Sequence, residues 1–235
     1  KIVVIGANGQ LGQCIRKIAP DFEDRFEFYF ADSSILDISD ASAVADYFYD
    51  VQPHFCINAA AYTAVDLAET ENEKAFAINA EGVRNLAENC AEYKAVLIHV
   101  STDYVFNGDT EISYSEDSFT DPQGIYGESK LKGEELALDA NPKTIILRTS
   151  WLYSEFNKNF VKTMLNLFEQ KEELAVVNDQ FGQPTNANDL AETIMTIIER
   201  EPQQFGVFHY SNYPETTWFN FAEKIAELSQ SKIKL

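Results

Sequence analysis

The sequence predicts an α/β protein built on a doubly wound parallel sheet, and three observations carry the expectation. Short apolar runs alternate with amphipathic helical stretches along the first 150 residues. The first run, Lys1–Ile5, passes straight into a glycine-rich turn that opens a helix. The runs are apolar without alternation, as strands buried on both faces require. βα units of this length cross over right-handedly.

The elements follow in order. Lys1–Ile5 is the first strand, and Gln10–Ile18 is a helix with Leu11, Ile15 and Ile18 on one face. Phe26–Ala31 is the second strand. Asp40 caps a helix that runs to about Tyr49 and carries apolar Ala41, Val44, Ala45 and Phe48. Phe55–Asn58 is the third strand. Residues 72–90 are helical, with Phe76, Asn79, Val83, Leu86 and Ala87 spaced by three and four. Ala95–Ser101 is the fourth strand, Ile125–Leu138 a helix and Lys143–Arg148 the fifth strand. After Trp151 the pattern loosens. Helices are expected over Asn159–Glu169, Asn188–Glu199 and Phe219–Leu228, and strands over Leu174–Val177 and Gly206–Tyr210.

A chain of 235 residues buries roughly 70–75% of its unfolded surface, so this fold needs no disulfides. Cys14, Cys56 and Cys90 are odd in number and far apart, which reads as small buried hydrophobes in a reducing compartment. His54, His99 and His209 are dispersed, and no spacing suggests a zinc site. Lys and Arg number 18 against 38 Asp and Glu, a net charge of −20 that disfavours nucleic acid and anionic membranes as partners. No apolar run is long enough to span a bilayer. The first strand begins at once with no secretory signal before it, so a cytoplasmic location is expected.

Two groups of residues point to chemistry. Gly6-Ala7-Asn8-Gly9-Gln10-Leu11-Gly12 lies between the first strand and its helix, where glycines permit a tight turn and close approach of a pyrophosphate to the helix N-terminus. The spacing is one residue wider than the Gly-x-Gly-x-x-Gly fingerprint, and taken alone it reads equally as a tight βα turn. Asp32 follows 20 residues after Gly12, at the end of the second strand, where a carboxylate accepts from ribose hydroxyls and repels a 2′-phosphate. NADH is therefore favoured over NADPH, with Asp37 and Ile38 as weaker candidates at the adenine. Asn58-Ala59-Ala60-Ala61 ends the third strand with small residues over which a dinucleotide can lie.

The second group is Ser101-Thr102-Asp103 with Tyr126-Gly127-Glu128-Ser129-Lys130. Tyr126 and Lys130 are one helical turn apart on one face. Lys130 is expected to lower the proton affinity of the Tyr126 phenol for acid–base work, with Thr102 bonded to the same substrate oxygen. A lone Tyr-x-x-x-Lys is as often a solvated helix face; the other motifs lift it above that.

Together these residues resemble the extended short-chain dehydrogenase/reductases. The runs Asn58–Asp66, Ser101–Phe106, Arg148–Trp151 and Asn178–Thr185 are similar, within that group, to the dTDP-4-dehydrorhamnose reductase family. The resemblance covers essentially the whole chain. It implies a Rossmann-like fold and NAD(P)H-dependent reduction of the C4 ketone of dTDP-4-dehydro-L-rhamnose. It implies catalytic roles for Thr102, Tyr126 and Lys130, and sugar-nucleotide contacts from Thr102, Asp103 and Trp151. Cofactor contacts would come from Gly6, Asn8, Gly9, Gln10, Leu11, Gly12, Asp32, Asp37, Ile38, Ala59, Ala60, Ala61, Tyr126 and Lys130. Residues 1–150 would bind the dinucleotide, and residues 151–235 would partly complete the sheet and partly form a substrate lid. Family members continue some fifty residues further, so this lid region is expected to be truncated here. Some members hold Mg²⁺ between subunits through glutamates, a site this sequence does not support. A monomer or homodimer is expected. Two rivals remain at this stage: a sugar-nucleotide dehydratase or epimerase of the same superfamily, and a non-catalytic dinucleotide-binding subunit. Asp103-Tyr104 lacks the Asp-Glu pair that dehydratases carry.

Overall fold

The computed structural model describes residues 1–109 and 112–235. In chain order its strands are β1 (Ile2–Ile5), β2 (Phe28–Ala31), β3 (Phe55–Asn58), β4 (Val96–Thr102), β5 (Thr144–Thr149), β6 (Leu152–Tyr153), β7 (Phe181–Gly182), β8 (Thr185–Asn186), β9 (Gly206–His209) and β10 (Thr216–Thr217). Its helices are α1 (Gln10–Ile18), α2 (Ala41–Val51), α3 (Val65–Ala68), α4 (Asn72–Phe76), α5 (Gly82–Glu92), α6 (Ile125–Ala140), α7 (Phe160–Gln170), α8 (Ala187–Glu199) and α9 (Trp218–Leu228).

Each residue of β1 is buried, and successive side chains serve opposite layers. Val3 and Ile5 join a cluster with Val44 and Phe48 of α2, Leu86 of α5 and Ala137 of α6. Ile2 and Val4 join another with Leu11 and Ile15 of α1 and Leu190 and Ile194 of α8. Both faces of the sheet are therefore covered, which is why its strands read as unbroken apolar runs. The order is β2-β1-β3-β4-β5-β9, with every neighbouring pair parallel. The chain reverses its direction of travel across the sheet between β1 and β3, which opens a crevice at their carboxyl ends.

Asp40 caps α2 as expected, accepting from the backbone N–H of Ser42 at 2.9 Å and of Ala43 at 3.1 Å. The helix expected over 72–90 runs from α4 to α5 through a π-helical turn at Ala77–Glu81. Asn79, buried in that turn, accepts from the Tyr62 N–H at 2.8 Å and donates to the Tyr62 carbonyl and to Ser129 Oγ, both at 3.0 Å.

Beyond Trp151, β9 completes the sheet and α8 covers it. α7 and α9 instead pack on one another around Met164, Ala222 and Ile225. Leu174–Val177 is not a strand. Its alternation buries Leu174 and Val176 against α7 and α9, and the neighbouring Glu173 makes a single bridge to Lys234. No helix among the described residues is long and apolar enough to cross a membrane.

Candidate active site

The glycine-rich turn is shaped by close backbone approaches. Gly6 has φ 77°, and a Cβ there would lie 2.6 Å from the backbone nitrogen of Ala60. The turns that follow β1 and β3 therefore touch through a position only glycine fills without strain. A Cβ on Gly12 would collide with the Gly6 carbonyl oxygen. No side chain caps α1, and its first turn holds no acidic residue. Its leading N–H groups are thus suited to an anion, and the cradle fits a dinucleotide pyrophosphate.

The segment after β5 folds back onto this turn. Gln10 Oε1 accepts from Ser154 Oγ at 3.1 Å and from Asn159 Nδ2 at 2.9 Å, and Asn157 Nδ2 donates to the Asn8 carbonyl at 2.7 Å. Between these parts lies a cleft of about 440 Å³. Gly9, Gln10, Leu11, Ala59, Ala61, Thr102, Asp103, Tyr126, Lys130 and Trp151 all line it. Most of the residues singled out from sequence thus converge from five separate stretches of chain.

The remaining candidates lie outside the lining. Gly6, Gly12 and Ala60 form the tight backbone beneath it. Asn8 Nδ2 donates to Asp32 Oδ2 at 2.5 Å, and Asp32 Oδ1 accepts from the N–H and hydroxyl of Ser34 at 2.9 and 2.6 Å. Those bonds from Ser34 hold the Asp32 carboxyl below its usual range. Asp37 makes a similar turn with Ser39, and Ile38 is buried in the core.

At the floor of the cleft, Thr102 Oγ1 donates to Asp103 Oδ1 at 3.0 Å, and Thr102 and Tyr126 line the same wall. Burial pushes Asp103 up to about 6. The Tyr126 ring meets Tyr104 edge-on, with centroids 5.4 Å apart. The expectation that Lys130 lowers the proton affinity of Tyr126 is reversed. Burial of the phenol dominates and pushes it up to about 12, against the lowering effect of Thr102. Lys130 Nζ is turned to the Val100 carbonyl, 2.8 Å away, and to His99 Nε2 at 3.3 Å. Burial lowers Lys130 to about 8. The Tyr126 phenol is thus protonated across the whole physiological range.

Trp151 lies just beyond β5, which stops at Thr149, and sits in the left-handed region at φ 47°. One indole face is stacked on Trp218 with centroids 3.4 Å apart, and its edge packs on Gly182. Packing and cleft lining are joined in one residue. Trp151→Ala should cost about 2 kcal/mol, below the range of a fully buried Trp. It should also raise KM for the sugar nucleotide. Thermal melts and steady-state kinetics measure the two effects, and an unchanged KM would reduce Trp151 to packing alone.

Asn157 and Lys158 also line the cleft and escaped sequence reasoning, while Thr63, Tyr104 and Ser150 entered it only as members of longer runs. Asn157 and Lys158 lie in an irregular segment without periodicity, so only the fold reveals them. Ser101 was quoted only as part of a motif, yet its Oγ is buried without a partner at the cleft wall. Among the described residues, no group of three or more His, Cys, Asp or Glu side chains could hold a metal ion.

Comparison with known proteins identifies the family. The family described as "RmlD substrate binding domain" matches residues 1–234. A dTDP-4-dehydrorhamnose reductase of Aggregatibacter actinomycetemcomitans is 41% identical over 226 residues, covering 94% of this chain and 76% of the relative. The crystal structure of a dTDP-4-dehydrorhamnose reductase from Clostridium acetobutylicum superposes with a TM-score of 0.94 at 39% identity, over 99% of this chain and 81% of that one. One from Bacillus anthracis, in complex with NADP, gives 0.94 at 40% identity, over 99% of this chain and 82% of that one. Matched by that family model over residues 1–234 and by these reductases at about 40% identity over most of its length, the chain belongs to the dTDP-4-dehydrorhamnose reductase family.

Proposed function

We propose that this chain reduces the C4 ketone of dTDP-4-dehydro-L-rhamnose to the alcohol of dTDP-L-rhamnose, with NADH or NADPH as reductant. The observation that carries the reading is the convergence of Thr102, Asp103, Tyr126 and Lys130 with the uncapped start of α1 in one cleft. The bound nicotinamide supplies a hydride to C4. Tyr126 donates its phenolic proton to the oxygen at C4. Thr102 hydrogen-bonds that oxygen, and Lys130 in its ammonium form stabilises the negative charge that develops there. Asp103 and Trp151 orient the sugar.

The turn of Gly6, Asn8, Gly9, Gln10, Leu11 and Gly12 holds the pyrophosphate, and Ala59, Ala60 and Ala61 flank it. Asp32 takes the adenosine ribose, while Asp37 and Ile38 border the adenine. Residues 1–150 are the dinucleotide-binding part, and residues 151–235 both complete the sheet and cover the substrate. The enzyme works in the cytoplasm as a monomer or homodimer.

The test is incubation with dTDP-4-dehydrorhamnose and either cofactor. The reading requires stoichiometric oxidation of the nicotinamide and formation of dTDP-L-rhamnose. Isomerised sugar without net oxidation would mark an epimerase instead. Asp32→Ala removes a carboxylate held ionised beside the ribose position, and with it the repulsion of a 2′-phosphate. The ratio of kcat/KM for NADPH to that for NADH should rise. An unchanged ratio would mean that Asp32 does not face the ribose.

A further inference from the structure

Behind the cleft, three buried polar side chains form a line. Asn58 ends β3, His99 lies within β4 and Lys130 is on α6, with exposures of 0%, 0% and 2%. Asn58 Nδ2 is 3.0 Å from His99 Nδ1, and His99 Nε2 is 3.3 Å from Lys130 Nζ. Neither Asn58 nor His99 lines the cleft.

The direction of this line follows from its donors. Asn58 Oδ1 is occupied by the Ala60 N–H at 3.0 Å, so the amide nitrogen is what faces His99. That nitrogen only donates, so Nδ1 of the imidazole must accept. The ring is neutral, because full burial drives its proton affinity well below the ordinary histidine range. A neutral ring carries one hydrogen, which then sits on Nε2 and points at Lys130. An ammonium offers that hydrogen no lone pair, whereas an amine does. The amine still donates to the Val100 carbonyl at 2.8 Å.

We propose that Asn58 and His99 are positioning residues for Lys130: Asn58 holds the imidazole as its Nε2–H tautomer, and that N–H donates to the unprotonated Lys130 amine. The consequence for catalysis rests on the functional reading above. Burial already lowers Lys130 to about 8, and the Nε2–H facing it disfavours the ammonium in the same sense, so that its charge is present below that transition and absent above it. The other groups that bear on this transition are few. Tyr126 and Glu134 share α6 with Lys130, Asp103 follows β4, and Arg148 of β5 is bound to Glu134. Of these, Glu134 opposes the lowering of Lys130.

The wild-type enzyme provides the first test. Long-range proton–nitrogen correlation of histidine-labelled protein, taken above the Lys130 transition, should show His99 protonated on Nε2. Protonation on Nδ1 would overturn the proposal, and this result needs no variant. Asn58→Asp provides the second, since a carboxylate would accept from Nδ1–H and leave Nε2 free to accept from an ammonium. The Lys130 transition, followed by the NMR signal of its side chain, should then move up by on the order of one pH unit. The alkaline limb of kcat/KM should move with it. His99→Gln, which offers an amide oxygen to the ammonium, should shift both in the same direction. Folded variants that titrate Lys130 as wild type does would show that the pair merely fills space. The tautomer and the Lys130 titration are read without substrate. Failure to reduce the ketone would therefore fault the functional reading and leave these two results standing.

Discussion

Tyr126→Phe should lower kcat by about 10²–10⁴, the usual yield of a positioned general acid. The ring remains to pack on Tyr104, so the substitution removes a proton and little else. Burial keeps the wild-type phenol protonated up to about 12, so proton donation needs no prior uptake at neutral pH. Loss of an interaction made only in the transition state lowers kcat and kcat/KM together. Cofactor binding, followed by nicotinamide fluorescence, should persist. Near-normal turnover would remove Tyr126 from the mechanism and leave Thr102 and Lys130 as the remaining donors of the cleft.

Glu134→Ala should have the largest effect on stability. Arg148 Nε lies 3.0 and 3.1 Å from the two Glu134 oxygens, and Nη2 lies 2.6 Å from Oε2. The side chains are 7% and 2% exposed, and Arg148 Nη1 is already buried without a partner. Removing the carboxylate leaves the guanidinium without its buried partner, facing the Phe106 ring at 5.1 Å and interacting with the Glu116 carboxylate without a hydrogen bond to it. The expected cost is about 3–5 kcal/mol, which for a chain of this length lowers Tm by about 10 °C. Replacing both partners by Leu and Met should recover most of the loss, because no charge is then left buried. Equal losses in the single and double variants would show that the pair is held for its charges.

The sheet was legible because its strands are buried on both faces. Val3 and Ile5 serve one layer while Ile2 and Val4 serve the other, so the apolar run carries no gap. Leu174–Val177 reads alike in sequence but packs between helices, since local alternation does not specify a hydrogen-bonding partner. Thr102, Tyr126 and Lys130 were legible as a set because a helical turn and a strand end impose their spacing. The sense of the Tyr126 shift was not, because it depends on how deeply the phenol is buried and on where the Lys130 ammonium turns, and both are decided by tertiary packing. Trp151 belongs with these: its partner Trp218 lies 67 residues further along the chain (218 − 151).

The π-helical turn has a consequence for exchange kinetics. The Tyr62 N–H lies between β3 and α3, outside any regular element, where amides ordinarily exchange quickly with solvent. Here it is held by the Asn79 side chain, which also binds Ser129 on the helix that carries Tyr126 and Lys130. Exchange at Tyr62 therefore requires the loop after β3 to part from the π-helical turn, which Asn79 ties to α6. Its deuterium uptake should be as slow as that of the central strands, and it gauges how often the two walls of the cleft separate. Asn79→Ala should speed uptake at Tyr62 while leaving β1 and β4 protected. Uptake equally fast in both proteins would mean that the walls part freely and that Asn79 does not hold them together.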